Sequence, residues 1–438
     1  MARPRLALAI LVILVLLYFA GNYLLTPTIR SMRAEGLIPG SESEWRVLGS
    51  LLKTIPTAVG LALMVIWAVL ADKIGRRGLI LGLALAMAGS LALVSTARNY
   101  DQLLAYFTIF GIGLVGVSPI VYAFVADVMP SHRRGAGYAA YYAASVLGMI
   151  LGLAIGALVS WRLAYLSIGI AIALAALPLY AASRGIEIGH AERIEVGRFS
   201  FRKVLQSLRC RTLAIMLAQQ ILWTIPWGML ALWSVDYIMT RWGLPKTLAS
   251  LVLIVATASI AVGHVVGGLL SDRLVRKGNV LGRVKISILG ICIGYAAMVA
   301  MLAYPYPYGS TSASSLLPPM LLAAAGMMFT TFAYPNISSV ISDVVKPEVR
   351  STVFSFYNFI NSGGWAIGPL IYGALVDALM SWGLDERTAL LYSAVGIVSL
   401  WIGCIAAWIA VGKTYPRDRI YAREGAELER CQDAVTNN

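Results

Sequence analysis

Residues 68–77 read AlaValLeuAlaAspLysIleGlyArgArg, and residues 268–277 read GlyLeuLeuSerAspArgLeuValArgLys. Both stretches close a long apolar run with a small residue, then an Asp–basic pair, then a second pair of cations. They lie 200 residues apart and occupy the same place in each half of the chain. A charged turn this short, set between two apolar runs, is a hairpin between membrane-crossing helices. Its recurrence implies that the chain is built twice from one plan.

The composition demands the same setting. Of 438 residues, 59% are hydrophobic and only 13% are charged, with a mean hydropathy of +0.77. Soluble domains carry about 45–50% apolar and about 25% charged residues. A crossing takes roughly 20 apolar residues, and twelve runs satisfy that length. The first six are 6–25, 50–71, 79–97, 102–126, 138–160 and 163–183; the second six are 212–236, 248–270, 286–304, 316–342, 351–377 and 388–412. Runs this long exceed barrel strands, and helices satisfy their own backbone in lipid. The expected fold class is therefore an all-α membrane protein of twelve transmembrane helices in two six-helix bundles. The expected division is a first bundle at 1–183, a cytoplasmic linker at 184–211, a second bundle at 212–412 and a cytoplasmic tail at 413–438.

Counting Lys and Arg orients the chain. Placing both termini and the even-numbered turns on one side gives that side 26 of the 35 cations. By the positive-inside rule both termini are cytoplasmic, with the plasma membrane as the expected location. The net charge of +14 is then a product of topology, and no nucleic acid is expected as partner. The apolar run after MetAlaArgProArg is about twice a secretory core in length, so it reads as a retained first span. Cys210, Cys292, Cys404 and Cys431 have no CxxC spacing, which indicates neither a metal site nor a disulfide framework. No cofactor is expected, and a monomer is.

The halves also match at an offset of 216 residues, where Asp127, Arg134, Gly148 and Gly152 recur as Asp343, Arg350, Gly364 and Gly368. At these residues the chain resembles the major facilitator superfamily. The family signature between the second and third helices, GxxxD(R/K)xGR(R/K), reads here Ala68, Asp72, Lys73, Gly75, Arg76, Arg77, with only the first Gly replaced. The second copy keeps Gly268, Asp272, Arg273, Arg276 and Lys277 and has Val275 in place of Gly. ValSerProIle in the fourth span and LeuGlyArgVal after Gly278 are similar to spinster-like members. Those members carry an acidic residue and a basic neighbour in the first span, where this chain has Asn22.

The resemblance implies a secondary transporter whose two bundles rock about a central cavity lined by helices 1, 4, 7 and 10. It also implies that Asp72, Arg76, Arg77, Asp127 and Arg134, with their counterparts Asp272, Arg276, Asp343 and Arg350, close the inner side. The plainer alternative is that these charges fix topology and hold tight turns. Gly148, Gly152 and Gly156, and Gly364 and Gly368 followed by Pro369, look like the GxxxGPxxGG motif of antiporter members. Close helix packing explains the same glycines without antiport.

Helical spacing groups candidate cavity residues. Gln219, Gln220, Trp223 and Trp227 share the seventh span; Asn358, Asn361 and Trp365 share the eleventh; Asn22, Tyr122, Tyr334 and Asn336 complete the set. Within the twelve runs no Asp, Glu, Lys or Arg is expected at mid-span, and His264 is the sole titratable candidate for a proton site. A buried organic ion without a counter-charge is costly. A small neutral or amphipathic solute is expected instead, as for a sugar-type uniporter or symporter, with a proton-coupled drug or metabolite antiporter as the alternative within transporters. A membrane-embedded enzyme or sensor is the alternative outside them. GxxxxGK(S/T), HExxH and GxSxG motifs are absent, and no catalytic residue is expected.

Overall fold

The computed structural model describes residues 2–74, 76–129, 134–184, 209–345 and 347–436. Side chains at 2–5, 68–76, 122–123, 126–128, 134–135 and 420–436 are among those outside the description. Among the described residues, twelve helices are long and apolar enough to cross a membrane. Spans 1 to 6 are Leu6–Ala34, Trp45–Met64, Arg77–Thr96, Tyr100–Val117, Ala136–Leu158 and Trp161–Ala182. Spans 7 to 12 are Arg211–Trp242, Lys246–Arg276, Gly282–Leu302, Ala313–Val344, Thr352–Ser381 and Glu386–Arg419. The connecting turns at the end opposite the chain termini stop the helices by ordinary means. Asn99 caps span 4 by accepting from the Gln102 amide at 2.9 Å, Asp385 caps span 12 through Thr388 at 3.1 Å, and Gly243 ends span 7 at φ +69°.

The two halves pack alike. Span 1 lies on span 5, span 2 on span 4 and span 3 on span 6; in the second half span 7 lies on span 11, span 8 on span 10 and span 9 on span 12. Between the lobes, span 2 meets span 11 and span 5 meets span 8. Exchanging the halves turns one of these contacts into the other, so the pseudo-twofold repeat seen in the sequence is also a symmetry of the packing.

The glycine stripes explain the intimate pairs. A Cβ at Gly148 or Gly152 would fall on the Leu16 or Ala20 carbonyl of span 1, and at Gly156 it would meet Pro27 at 2.5 Å. A Cβ at Gly364 or Gly368 would strike Thr224 or the Ile225 carbonyl of span 7. The stripes are therefore close-packing surfaces inside each lobe, not surfaces along which the lobes slide. Pro369 cannot donate to the Trp365 carbonyl one turn earlier. That freed oxygen lies against Gly228, where a Cβ would collide with it.

The segment expected as a separate tail continues span 12 as one helix, Leu400–Thr436. Its start is docked: Asp418 accepts from the Thr212 amide at 2.8 Å, Thr414 bonds Thr212 at 2.7 Å, and the Tyr415 hydroxyl donates to Asp343.

Candidate functional site

At the end of the bundle opposite the termini, buried charge joins the lobes. Arg46, near the start of span 2, donates to Asp236 of span 7 at 2.9 Å and to Glu386 of span 12 at 2.8 Å. Arg30 of span 1 reaches the other Asp236 oxygen at 3.1 Å. The Arg46 and Asp236 side chains are both 0% exposed. Around this cluster the lobes interlock. Ser50 donates to the Pro369 carbonyl at 2.7 Å, Thr54 to the Ala366 carbonyl at 2.6 Å, and Thr26 to the Ala231 carbonyl at 2.6 Å. Trp233 sets its indole N–H on Ser50 at 3.1 Å and its ring edge-on to Trp45 at 5.4 Å. Arg30, Arg46, Asp236 and Glu386 are not among the residues singled out from the sequence. Their signal was present as opposite charges at four outer helix ends.

Toward the terminal end the lobes are held differently. Among the described residues, the rings of Tyr142 in span 5 and Tyr334 in span 10 meet at 6.4 Å, and Tyr334 packs tilted against His264 at 4.8 Å. A Cβ at Gly363 would meet nothing within 4 Å, and Asn358 is exposed. Asn22, Asn361 and Trp365 are half-buried. The other residues expected to line a cavity are packed away: Gln219, Gln220, Trp223, Trp227 and Asn336 are 7% exposed or less. Gln220 donates to Asn361 at 2.7 Å, and Asn336 turns back to the Phe332 carbonyl at 3.0 Å. Trp227 lies between Trp365 at 6.4 Å and Trp401 at 5.9 Å, and Trp401 donates to the Trp223 carbonyl at 3.2 Å. These indoles form one aromatic wall, to which span 12 supplies Trp401, a residue outside the expected set.

The expectation of no charge at mid-span is corrected by Lys53. It is the ninth residue of span 2, counted from Trp45, and its ammonium donates to the Asn22 side-chain oxygen of span 1. The apolar run was read as starting at residue 50, which put Lys53 near an interface; the helix starts at Trp45 and carries it inward.

Of the charged turns, Asp72, Arg76, Asp127 and Arg134 lie outside the described side chains, as do Tyr122 and the linker at 185–208. Arg77 donates to the Tyr180 carbonyl at 2.8 Å and covers the Tyr180 ring at 3.7 Å. In the second half, Arg283 joins Asp343 at 3.0 Å and Asp272 at 3.6 Å, while Arg350 donates to the Ser342 carbonyl at 2.9 Å. Arg276 is exposed. Among the described residues this network stays within one lobe, and its hub, Arg283, was not anticipated.

Residues 11–369 match the sequence profile of the Major Facilitator Superfamily. The fold is similar to a bacterial homolog of the human lysosomal transporter Spinster in an inward-facing and unoccupied conformation, with 17% identity, TM-score 0.79, 95% of this chain and 98% of that chain covered. The occupied inward-facing form of that homolog gives 18% identity and TM-score 0.77 over 94% and 97% of the chains. The nucleoside transporter NupG gives 13% identity and TM-score 0.67 over 93% and 99%. A search of curated protein sequences returned no significant match. Twelve spans, a repeated six-helix plan and the profile match over most of its length place this chain in the major facilitator superfamily, as a secondary transporter of the membrane.

Proposed function

We propose that the protein moves a small amphipathic solute by alternating access, with lobes 1–183 and 212–412 rocking about residues 184–211 and with 413–438 as cytoplasmic tail. One observation carries the reading: among the described residues, the ion pairs that cross between the lobes lie at one end, where buried Arg46 and Asp236 join each other and the half-buried Glu386 and Arg30. At the other end, the described ion pairs of Asp343 and Asp272 remain inside one lobe. Such an arrangement is one of two states separated by rotation, because a buried pair is favourable only while both partners are together. With the termini cytoplasmic, in keeping with the cation count, the sealed end faces outward and the cavity faces the cytoplasm. The charged turns at Asp72 and Asp272 would then belong to the inner closure of the opposite state. The half-buried amides at Asn22 and Asn361 and the indole wall at Trp365 suit a solute with polar and apolar parts. The reading is of a monomer in the plasma membrane that performs no chemical step.

The test uses inside-out and right-side-out vesicles carrying single cysteines at Ser50 or Asn358 and an impermeant maleimide. Labelling of Asn358→Cys from the cytoplasmic face, with Ser50→Cys protected from outside, is expected. The reverse pattern would overturn the assignment of the sealed end.

A further inference from the structure

Lys53 has no evident structural purpose. Its ammonium has three donors, and among the described residues its one partner is the neutral side-chain oxygen of Asn22. Asp236 of span 7, the carboxylate bonded to Arg46 on the same span as Lys53, is already shared between Arg30 and Arg46. Arg46 lies seven residues before Lys53, or about 10 Å along the helix at 1.5 Å per residue.

The antiparallel register of spans 2 and 11 shows what Lys53 borders. Gly373 packs on the Arg46 backbone at 2.8 Å, Ser50 bonds the Pro369 carbonyl and Thr54 bonds the Ala366 carbonyl. Lys53 is thus level with Ala366, in the last turn of the seal. Further inward on span 11, Gly363 faces open space. The ammonium cannot extend outward to water, because Ser50, Trp233 and Pro369 are bonded together above it. Lys53 is half-buried, and a cation drawn away from water is costly without a counter-charge, so Lys53 stands at the roof of the cavity with its partner missing. Trp365, one residue from Ala366 and half-buried, stacks on Trp227 with an interplanar angle of 24°, so an aromatic face stands at the level of Lys53. A cation level with an aromatic face selects a ligand with a charged head and an apolar body.

We propose that Lys53 binds the carboxylate, phosphate or sulfonate head of an amphipathic organic anion, with Asn22 orienting the ammonium and the Trp365 wall receiving the apolar body. This rests on the transport reading for its consequence but concerns binding alone. It also removes the ground on which organic anions were excluded from the sequence.

The test is a saturable thermal shift of the purified full-length protein with four probes. These are 1-naphthalenesulfonate as a soluble anion, lysophosphatidate as a lipid-borne anion, and 1-naphthalenemethanol and 1-naphthylmethylammonium as neutral and cationic controls. Either anion is expected to bind at least tenfold more tightly than both controls, and which anion responds distinguishes a soluble from a membrane source. Lys53→Gln is expected to weaken anion binding at least tenfold while leaving its melt without probe near that of the native chain; Lys53→Arg is expected to retain binding. Equal binding of the neutral probe, or unchanged anion affinity in Lys53→Gln, would overturn the proposal. If Lys53→Gln does not fold, failure of Lys53→Arg to bind while folded would do the same. Counterflow of the bound anion in liposomes separates the two readings, since tight Lys53-dependent binding without flux counts against transport and leaves the anion site standing.

Discussion

Arg46 and Asp236 meet at 2.9 Å across the two lobes, and neither side chain is exposed. Their attraction is realised in one arrangement of the lobes only. Separating the lobes admits water to both groups, so the pair biases a conformational equilibrium more than it stabilises the fold. Arg30 and Glu386 at its edge, 34% and 31% exposed, already share water and add less.

Asp236→Asn should therefore shift the resting state. Breaking a buried pair by removing one partner costs about 3–5 kcal/mol, here charged against the sealed state, where Arg46 stays buried. Ser50→Cys in that background should react with an external impermeant maleimide at a rate raised at least tenfold. A paired Arg46→Met, Asp236→Leu change, which fills the space without charge, should restore protection. An unchanged labelling rate in Asp236→Asn would show that the Thr54 and Trp233 contacts to span 11 hold the seal without the ion pair.

Much of this architecture was legible because it follows from strong periodic signals. Apolar runs, cation asymmetry and two repeats gave the twelve spans and their pairing into lobes. The site was harder to read. Lys53 was misjudged because an apolar run shows where hydrophobicity begins, not where the helix does. Trp223 and Gln219 were read as cavity residues from helical spacing, which gives a shared face but not what covers it; Trp401 and Cys404 of span 12 cover that face. Arg283 was invisible as a hub because its two carboxylate partners are 11 and 60 residues away in the chain.

Glycines supply a stability test. Gly152→Ala and Gly368→Ala place a methyl on a neighbouring carbonyl and must push helices apart, at a cost of about 1–3 kcal/mol as for overpacked cores. Gly82→Ala and Gly396→Ala meet nothing within 4 Å and should match or slightly exceed the native melting temperature. Melting curves of the four variants in one detergent decide the matter. Equal behaviour of the two pairs would refute the packing role.

Asn361 and Asn358, three residues apart, should behave differently. Asn361 accepts from Gln220 at 2.7 Å, so Asn361→Leu leaves a buried amide unpaired and should destabilise the protein by about 1–3 kcal/mol. Asn358 is exposed, so Asn358→Ala should melt normally and lower flux if that face is wetted by the cavity. Loss of stability in Asn358→Ala with none in Asn361→Leu would invert the assignment.

The junction of span 12 with its extension offers a last test, through proteolysis. Asp343 accepts from Arg283 and Tyr415, and Asp418 accepts from the Thr212 amide, so two carboxylates tie the end of span 12 to spans 7, 9 and 10. Asp418→Ala removes a cap-like bond at the start of span 7, a loss of about 1 kcal/mol, and frees the helix beyond Val411. Trypsin sites at Arg417 and Arg419 should then be cut faster in Asp418→Ala, and faster still in a variant that adds Asp343→Asn, because the two contacts hold the same turn and their losses combine. Limited trypsinolysis of purified protein, followed by mass spectrometry of the released C-terminal peptides, measures this order. Cleavage at native rates in the double variant would mean that Thr414, Tyr415 and the helix itself suffice to keep the extension docked.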